Sequence, residues 1–293
     1  MSVAVELGII GGSGLYTLSA FSQEESIAVD TPYGAPSSEI VVGSLAGRRV
    51  AFLARHGAGH RLAPSEVPYA ANIYALKSLG VQRLLSVSAV GSLREEHVPR
   101  SFCVPDNLID RTTDRRRSFF GAGAVAHVSM AEPFCLDFSR SVVDAARSAS
   151  ELPVQAGGTY VCIEGPQFST RAESELFRQW GAAIIGMTAL PEARLAREAE
   201  LCYACLAMVT DYDVWHTEEH VSVELVVANL LAMASDVAGI VTALAAGDGH
   251  ACDAACGRAL DNAIITAPDM INDDVWERLG PLMERYLRER AEG

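Results

Sequence analysis

Short, nearly continuous apolar runs alternate along the chain with segments in which apolar residues recur every three or four positions. The first pattern is typical of strands covered on both faces, and the second indicates helices. We predict strands at Leu7–Ile10, Arg49–Ala54, Arg83–Ala89, Phe102–Pro105, Gly158–Glu164, Ala183–Met187 and Tyr203–Thr210. We predict helices at Tyr69–Leu79, Asp137–Ser148, Arg171–Trp180, Leu190–Ala199 and Ser222–Ala245.

The alternation of strands with helices favours one α/β layered domain with a mostly parallel or mixed sheet. No linker, repeat or charge block divides the chain. In open α/β sheets, ligands bind in the loops at the carboxyl ends of the strands. Polar residues follow four of the predicted strands, namely Ser13, Arg55 with His56, Ser88 and Asp211. We therefore expect these residues to converge on one ligand.

Composition narrows the function classes. The chain has 293 residues and a net charge of −14, which gives no general attraction for nucleic acid or anionic membranes. The longest apolar segment, Val221–Ala246, contains Glu224, Asn229 and Asp236, so we expect a helix packed in a soluble core. The first residues are typical of a buried strand rather than a signal peptide. Seven scattered cysteines favour reduced thiols in a cytoplasmic protein.

Two residue groups have the spacing of metal ligands, and we predict no metal site at either. Cys252 and Cys256 could act with His250, but no fourth ligand is evident and the segment is rich in alanine. His56 and His60 have H-x-x-x-H spacing, but Gly57 and Gly59 argue against the helix that this motif requires.

In the segment Gly8–Gly14 the first strand runs into a Gly-Gly-Ser-Gly loop, which can present backbone N–H groups and the Ser13 hydroxyl to an anion. It lacks the Lys-Ser/Thr pair of a P-loop, and Thr17 stands where a dinucleotide motif needs glycine. Arg55 alone would be expected to form a structural salt bridge. Together with His56 and the Ser86–Ser92 segment, however, it predicts a cradle for a tetrahedral oxyanion.

Three further segments carry candidate ligand groups. Asp211 and Asp213 follow an apolar run, and two acids there favour a ligand role, because buried unpaired carboxylates are costly. Phe168 lies in a turn where its ring could stack on a purine. Gly186-Met187-Thr188 ends a strand and could contact a sugar. Thr170 and Glu173 have capping-box spacing, so part of the Phe168 segment is structural.

Taken in order, these segments resemble the methylthioadenosine phosphorylase branch of the trimeric purine nucleoside phosphorylases. The resemblance covers roughly residues 5–245 and is carried by IGGSGL, DTPYGAPS, LARHGAGH, SAVGSLREE, DRTTDRRRSFF, HVSMAEPFC, IEGPQFSTRAES, GMTALPEARLAREA and MVTDYDVW. It implies a single α/β domain with a mixed twisted sheet flanked by helices, assembled as a homotrimer. It also implies phosphorolysis, with inorganic phosphate as co-substrate and no metal or organic cofactor.

The resemblance assigns roles residue by residue. The phosphate-binding positions match Ser13, Arg55, His56, Ser88, Ala89 and Thr188. The nucleoside-binding positions match Phe168 for the base, Met187 for ribose, Asp211 and Asp213 for adenine, and Val223 for an apolar 5′ pocket. His127 matches a residue that a neighbouring subunit inserts near the 5′ substituent, and His60 is a weaker match. Asp211 is the expected catalytic acid. Branches specific for 6-oxopurines resemble one another in having Asn there, so the resemblance also implies a preference for adenine nucleosides.

Some points depart from the pattern or stay open. Gly186 stands where the family often has asparagine, which predicts altered sugar contacts. We expect a phosphorylase domain over 1–268 and a C-terminal extension over 269–293, with an amphipathic helix at Trp276–Arg290. The 5′ substituent remains open between methylthio and fluorine or chlorine. A nucleosidase that uses water and a non-catalytic nucleoside sensor are the alternative functions.

Overall fold

The computed structural model describes residues 5–12, 21–217, 221–247, 252, 256–283 and 285–286. The strands are β1 (Leu7–Gly11), β2 (Ser22–Ile27), β3 (Ile40–Leu45), β4 (Arg48–Ala54), β5 (Arg83–Ser92), β6 (Ser101–Val104), β7 (Asn107–Arg111), β8 (Val154–Ala156), β9 (Thr159–Ile163), β10 (Ile184–Gly186) and β11 (Cys202–Asp211). The α-helices are α1 (Tyr69–Ser78), α2 (Leu136–Ala149), α3 (Arg171–Gln179), α4 (Ala189–Glu198), α5 (Val223–Ala246) and α6 (Asp273–Leu279).

All of these strands join one mixed sheet, in the order β2-β3-β4-β1-β5-β10-β9-β7, with β11, β6 and β8 branching from β5. The centre is parallel, since β1 runs with β4 and β5, and β11 runs with β5. β10 runs antiparallel to β5, with Ile184 opposite Ser92. The residues that follow β10 therefore fold back over the carboxyl-terminal half of β5. The mixed α/β sheet flanked by helices confirms the predicted fold class.

Helices cover both faces of the sheet, because alternate residues of its central strands point to opposite sides. One core contains Ile10 and Leu84 and is covered by α1, α4 and the C-terminal segment. The other contains Ile9 and Leu85 and is covered by α2 and α5. A smaller cluster around Phe177 lies beneath α3. The first turn of α3 is held by the predicted capping box, in which Thr170 and Glu173 exchange hydrogen bonds.

The register of β11 against β5 changes near the end of the strand. Val209 pairs with Val90 and Asp211 with Gly91, so β11 contains one extra residue. Such a bulge re-aims the side chain that follows it. A Cβ on Gly91 would lie 2.9 Å from Oδ1 of Asp211, so only glycine leaves room for this carboxylate. The bulge and the glycine together fix where the predicted catalytic acid points.

Helix α5 packs in the core as expected over its second half only. Its second half packs on the core through Val237, Val241 and neighbouring residues, whereas its first half leaves Val223 and Leu231 exposed. By length and composition α5 is long and apolar enough to cross a membrane, and 22% of its most apolar window is buried. These criteria alone are weak evidence, since core helices of soluble proteins also meet them.

The tail also differs from its expected form. The predicted helix Trp276–Arg290 begins as expected within α6 but does not continue past Leu279, because Gly280-Pro281 begins a 3₁₀ turn. Proline lacks the N–H that a continuing helix needs. Trp276, Leu279 and Met283 pack in the same core as α1 and α4. Residues 284 and 287–293 lie outside the described part of the chain.

Candidate active site

A cavity of about 760 Å³ opens at the carboxyl ends of the central strands. Gly12 after β1, Arg55 after β4 and Asp211 at the end of β11 line it, together with the second half of β5. The segment after β9 and β10 closes one side, and the first half of α5 supplies an apolar wall. This is where ligands bind in α/β sheets, so the strand order explains the position of the cavity.

Most of the site residues predicted from the sequence line this single cavity. They are Arg55, His56, His60, Ser88, Ala89, Phe168, Met187, Thr188, Asp211, Asp213 and Val223. Ser13 lies outside the described residues. His127 is exposed and is not among the residues that line the cavity in its own chain. Ser88 was expected at a strand end and instead lies inside β5, which extends to Ser92.

Arg55 is almost fully buried, with 1% of its surface exposed, and it forms the salt bridge expected of it in isolation. Its Nε and Nη2 donate to the two carboxylate oxygens of Glu192 at 2.9 and 3.1 Å. Nη2 also donates to Ser86 Oγ at 2.7 Å, and Nη1 to the carbonyl oxygen of Val87 at 3.0 Å. Because Nη1 carries two N–H groups, one of them has no hydrogen bond among the described residues. Arg55 can thus offer one donor to a ligand, while Glu192 compensates its charge.

His56 and His60 stack in parallel on the rim of the cavity, with ring centroids 4.1 Å apart. His56 Nδ1 lies 2.8 Å from the carbonyl oxygen of Leu62, so this nitrogen must carry a proton to donate. Burial, reinforced by the adjacent Arg55 charge, lowers the pKa of His56 to about 4. The ring is therefore neutral near pH 7, and Nε2 acts as an acceptor. Such an acceptor suits the protonated oxygen of hydrogen phosphate.

Hydroxyl groups complete the polar part of the cavity wall. Thr188 Oγ1 and Ser169 Oγ are buried and have no hydrogen-bond partner in the described structure. A buried hydroxyl without a partner costs free energy comparable to a lost hydrogen bond. Thr188 stands at the N-terminus of α4 but makes no capping hydrogen bond. Both hydroxyls line the cavity, so a polar ligand would restore the missing bonds.

Asp211 and Asp213 form a carboxylate pair at the opposite side of the polar wall. Asp211 Oδ2 accepts from Thr210 Oγ1 at 2.8 Å, and Oδ1 accepts from the backbone N–H of Asp213 at 2.8 Å. Asp213 accepts from Ser174 Oγ at 2.5 Å. Burial raises the pKa of Asp213 to about 6, and the neighbouring Asp211 charge contributes to the rise. The pair can therefore hold a proton at a pH where an exposed carboxyl has lost it.

The altered position Gly186 has a structural explanation. A Cβ there would lie 2.1 Å from the phenol oxygen of Tyr160, which fills the space that a side chain would occupy. Tyr160 OH is buried and has no hydrogen-bond partner among the described residues. The asparagine that the family often has at this position therefore does not fit beside Tyr160.

Two charged residues that support the site were missed in the sequence. Glu192 neutralises Arg55, and no signal distinguished it, because Arg194, Arg197 and Glu198 stand in the same helix. Arg115 donates to the carbonyl oxygens of Met187 and Leu190 at 2.7 and 2.6 Å, so it fixes the loop after β10. Arg115 stands among other arginines in DRRRSFF, and nothing in that run distinguishes it.

Comparison with known proteins identifies the family. The family model of the phosphorylase superfamily matches residues 6–246. The chain is 50% identical to the S-methyl-5′-thioadenosine phosphorylase of Koribacter versatilis, over 98% of this chain and 99% of that protein. It is 52% identical to the S-methyl-5′-thioadenosine phosphorylase of Chloroflexus aurantiacus, over 96% and 98%.

Solved structures agree as well. A methylthioadenosine phosphorylase from an antarctic soil metagenomic library superposes with a TM-score of 0.90 at 48% identity, covering 95% of this chain and 99% of that one. The methylthioadenosine phosphorylase of Schistosoma mansoni, in complex with adenine, superposes with a TM-score of 0.79 at 39% identity, covering 83% and 91%. By sequence, fold and the residues gathered at its cavity, this chain belongs to the methylthioadenosine phosphorylase branch of the phosphorylase superfamily.

Proposed function

We propose that this chain splits 5′-methylthioadenosine, or a closely related 5′-deoxy-5′-substituted adenosine, with inorganic phosphate. The products are adenine and the 5-substituted ribose 1-phosphate. One observation carries the proposal: a single cavity joins a polar wall suited to an oxyanion, a buried carboxylate pair and an apolar wall. These three surfaces match the phosphate, the aminopurine and the 5′ substituent of the reactants.

Phosphate is assigned to the polar wall. The remaining Nη1 donor of Arg55 and the hydroxyls of Ser88 and Thr188 donate to its oxygens, and the backbone N–H of Ala89 is a further donor at the same position. His56 Nε2 accepts from its one protonated oxygen. Because Glu192 compensates Arg55, the wall holds the anion by directed hydrogen bonds more than by net charge. Ser13 is proposed for the same role from its match to the family.

The base is assigned to the carboxylate pair and to Phe168. As the bond between C1′ and the base nitrogen breaks, negative charge builds on the purine, and a proton shared with Asp211 stabilises it at N7. A phosphate oxygen then bonds to C1′ of the cationic sugar. The exocyclic amine donates to a carboxylate, which favours adenine over a 6-oxopurine. Phe168 is 43% exposed at the mouth of the cavity, in a position to stack on the base.

The 5′ substituent is assigned to the wall formed by the first half of α5. Val223, Val226, Val227 and Leu230 line the cavity there, close to Met208. A buried 5′ hydroxyl would find no partner on this surface, whereas methylthio or halogen avoids this penalty. Methylthio is the substituent we favour, and fluorine or chlorine is the alternative.

The proposed assembly is a homotrimer, and the surface of α5 supports it. Val223, Val227 and Leu231 follow one another at four-residue spacing and are 63%, 46% and 69% exposed. A second copy packed on this stripe would also close the cavity beside Val223. His127 is exposed, as a residue reaching into a neighbouring subunit must be. We expect light scattering to show a trimer, and Leu231→Glu to weaken it; a monomeric wild-type chain would contradict this assembly.

Kinetics on matched nucleosides tests the activity. We expect kcat/KM to be highest for methylthioadenosine, lower for the chloro and fluoro analogues, and lowest for adenosine. Adenine release should require phosphate, so release in phosphate-free buffer would identify a nucleosidase instead. No turnover with any of these nucleosides would leave the sensor function. The seven free cysteines support a cytoplasmic location.

Replacing the proposed catalytic acid tests the mechanism. Asp211→Asn should lower kcat/KM for methylthioadenosine by on the order of 10²-fold or more, because amide nitrogen cannot donate the proton as an acid does. Asp106→Asn, a carboxylate outside the cavity, is the matched control. Full activity of the Asp211 variant would remove this residue from its role.

A further inference from the structure

Four of the seven cysteines lie together although they are far apart in the sequence. The Sγ atoms of Cys135, Cys202, Cys252 and Cys256 all lie within 4.8 Å of one another. Cys135 stands at the N-terminus of α2, Cys202 begins β11, and the other two follow α5. None of the four thiols is in a disulfide. The sequence grouped only Cys252 and Cys256, with His250, and we predicted no metal site there because no fourth ligand was evident. The fold brings Cys135 and Cys202 to the pair.

The distances suit one soft divalent cation. A tetrahedral Zn²⁺ with bonds of about 2.3 Å to sulfur separates the sulfur atoms by about 3.8 Å. Cys135 and Cys252 are 3.4 Å apart, and every other pair is within 4.8 Å. Small side-chain rotations therefore complete the tetrahedron. We propose that these four cysteines form a structural zinc site.

The surroundings compensate the charge that such a site carries. Zn²⁺ with four thiolates has a net charge of −2, which needs N–H donors when it is buried. The backbone N–H of Phe138 donates to Cys135 Sγ at 3.5 Å, where Cys135 caps α2. Arg197 Nη1 donates to Cys256 Sγ at 3.5 Å. One donor thus comes from a helix N-terminus and one from a cation.

Three of the four cysteines are buried. Cys135, Cys202 and Cys256 have 1%, 8% and 1% of their surface exposed, whereas Cys252 is partly exposed. Four protein ligands leave no open position for substrate, which is typical of structural zinc. The cluster lies at the opposite end of β11 from Asp211, about 30 Å away for a ten-residue strand. The metal would tie the segment after α5 to the core and take no part in the reaction.

Metal analysis of the untagged full-length chain tests the proposal. After purification in reducing buffer without chelators, equilibration with Zn²⁺ and desalting, we expect about one zinc per chain. Cys252→Ser should abolish the bound zinc, and this partly exposed position is the one least needed for folding. Cys103→Ser is the matched control, because it alters a buried thiol outside the cluster. Loss of zinc in the first variant only is the expected result.

Cobalt substitution reads the ligands directly. Co²⁺ in the wild-type chain should show thiolate charge-transfer absorption and the intense d–d bands of a tetrahedral site, both absent from the Cys252 variant. A wild-type chain that retains no zinc, or a Cys252 variant that retains it fully, would overturn the proposal. So would alkylation mapping that finds the four thiols paired as disulfides in freshly lysed cells. These readouts do not depend on activity, so they stand apart from the test of the proposed phosphorylase.

Discussion

Strand β11 begins beside the cluster of four cysteines and ends beside the cavity, and the polar groups at its two ends differ in how their hydrogen bonds are satisfied. At its start, Cys202 lies among thiols whose partners are one another and the N–H donors around them. At its end, Asp211 borders a cavity in which Thr188 and Ser169 have buried hydroxyls without partners in the described part of the chain. The first arrangement needs only an ion to be complete. The second keeps hydrogen-bonding capacity unused, which is stabilising only when a polar ligand enters.

The comparison shows which groups around the cavity stabilise the folded chain. The ligand-facing hydroxyls make no hydrogen bond that would stabilise the folded state, and they and the carboxylate pair are costly to bury. The layer beneath them is well paired, since Glu192 binds both Arg55 and the hydroxyl of Tyr203. A fully hydrogen-bonded buried network therefore supports the cavity. Substitutions in this buried layer should lower the free energy of unfolding, whereas removing a costly charge from the ligand-facing layer should raise it.

The largest expected change in the free energy of unfolding comes from a substitution in the buried layer. Glu192→Gln leaves the Arg55 charge without its counter-ion, and we expect a loss of about 3–5 kcal/mol of unfolding free energy. Urea denaturation measures it. Glu198→Gln on the same helix is the control, because Glu198 is also buried but accepts from Ser118 Oγ and Phe119 N–H, with no cation. Equal destabilisation by the two variants would show that the Arg55–Glu192 ion pair stabilises the fold no more than the hydrogen bonds of Glu198 do.

The next effect is a gain of stability on the ligand-facing side. The pKa of Asp213 is raised to about 6, above its unfolded value, so its folded form binds the proton more tightly. Its contribution to stability is present at low pH and is lost as the pH rises from about 4 through 6. Asp213→Asn should remove that loss and stabilise the chain by about 2–3 kcal/mol at pH 7, with little gain at pH 4.

The pH profile of that variant provides its own check. His56 has its pKa lowered to about 4, so it acts in the opposite direction and adds stability as the pH rises from about 4 to 6.5. In the wild-type chain these two contributions oppose each other. In Asp213→Asn the His56 contribution remains, and stability should increase with pH over this window. A stability difference between variant and wild type that does not change with pH would contradict this account.

The smallest expected effect concerns a hydroxyl that binds only ligand. Thr188→Val keeps the shape and removes the unpartnered Oγ1, so we expect no loss of stability and a rise of about tenfold or more in KM for phosphate. Steady-state kinetics at varied phosphate measures this. Ser139→Ala removes another buried, unpartnered hydroxyl, outside the cavity, and should leave KM unchanged. An equal KM for Thr188→Val and wild type would place the phosphate elsewhere.

The sequence by itself determined the alternation of elements and the residues that carry chemistry. The seven predicted strands and the five helices predicted before the C-terminal extension are present, because apolar periodicity is a local property of the chain. Four strands were missed, namely β2, β3, β7 and β8. SQEESI, NLIDR and VQA are short or polar and pair at or near the sheet margins, and the apolar run IVVGSL of β3 is interrupted by Gly43. The motifs around Arg55, Thr188 and Asp211 indicated their residues directly.

Only the tertiary structure decided how those residues meet. The antiparallel course of β10 brings Thr188 beside β5, and the bulge in β11 aims Asp211 past Gly91. Glu192 was paired with Arg55 across 137 residues, and Cys135 was brought to Cys252 across 117. Local patterns report which face of an element is buried. They do not report which distant side chain shares that face, because this depends on strand order and register, which form only when the whole sheet assembles.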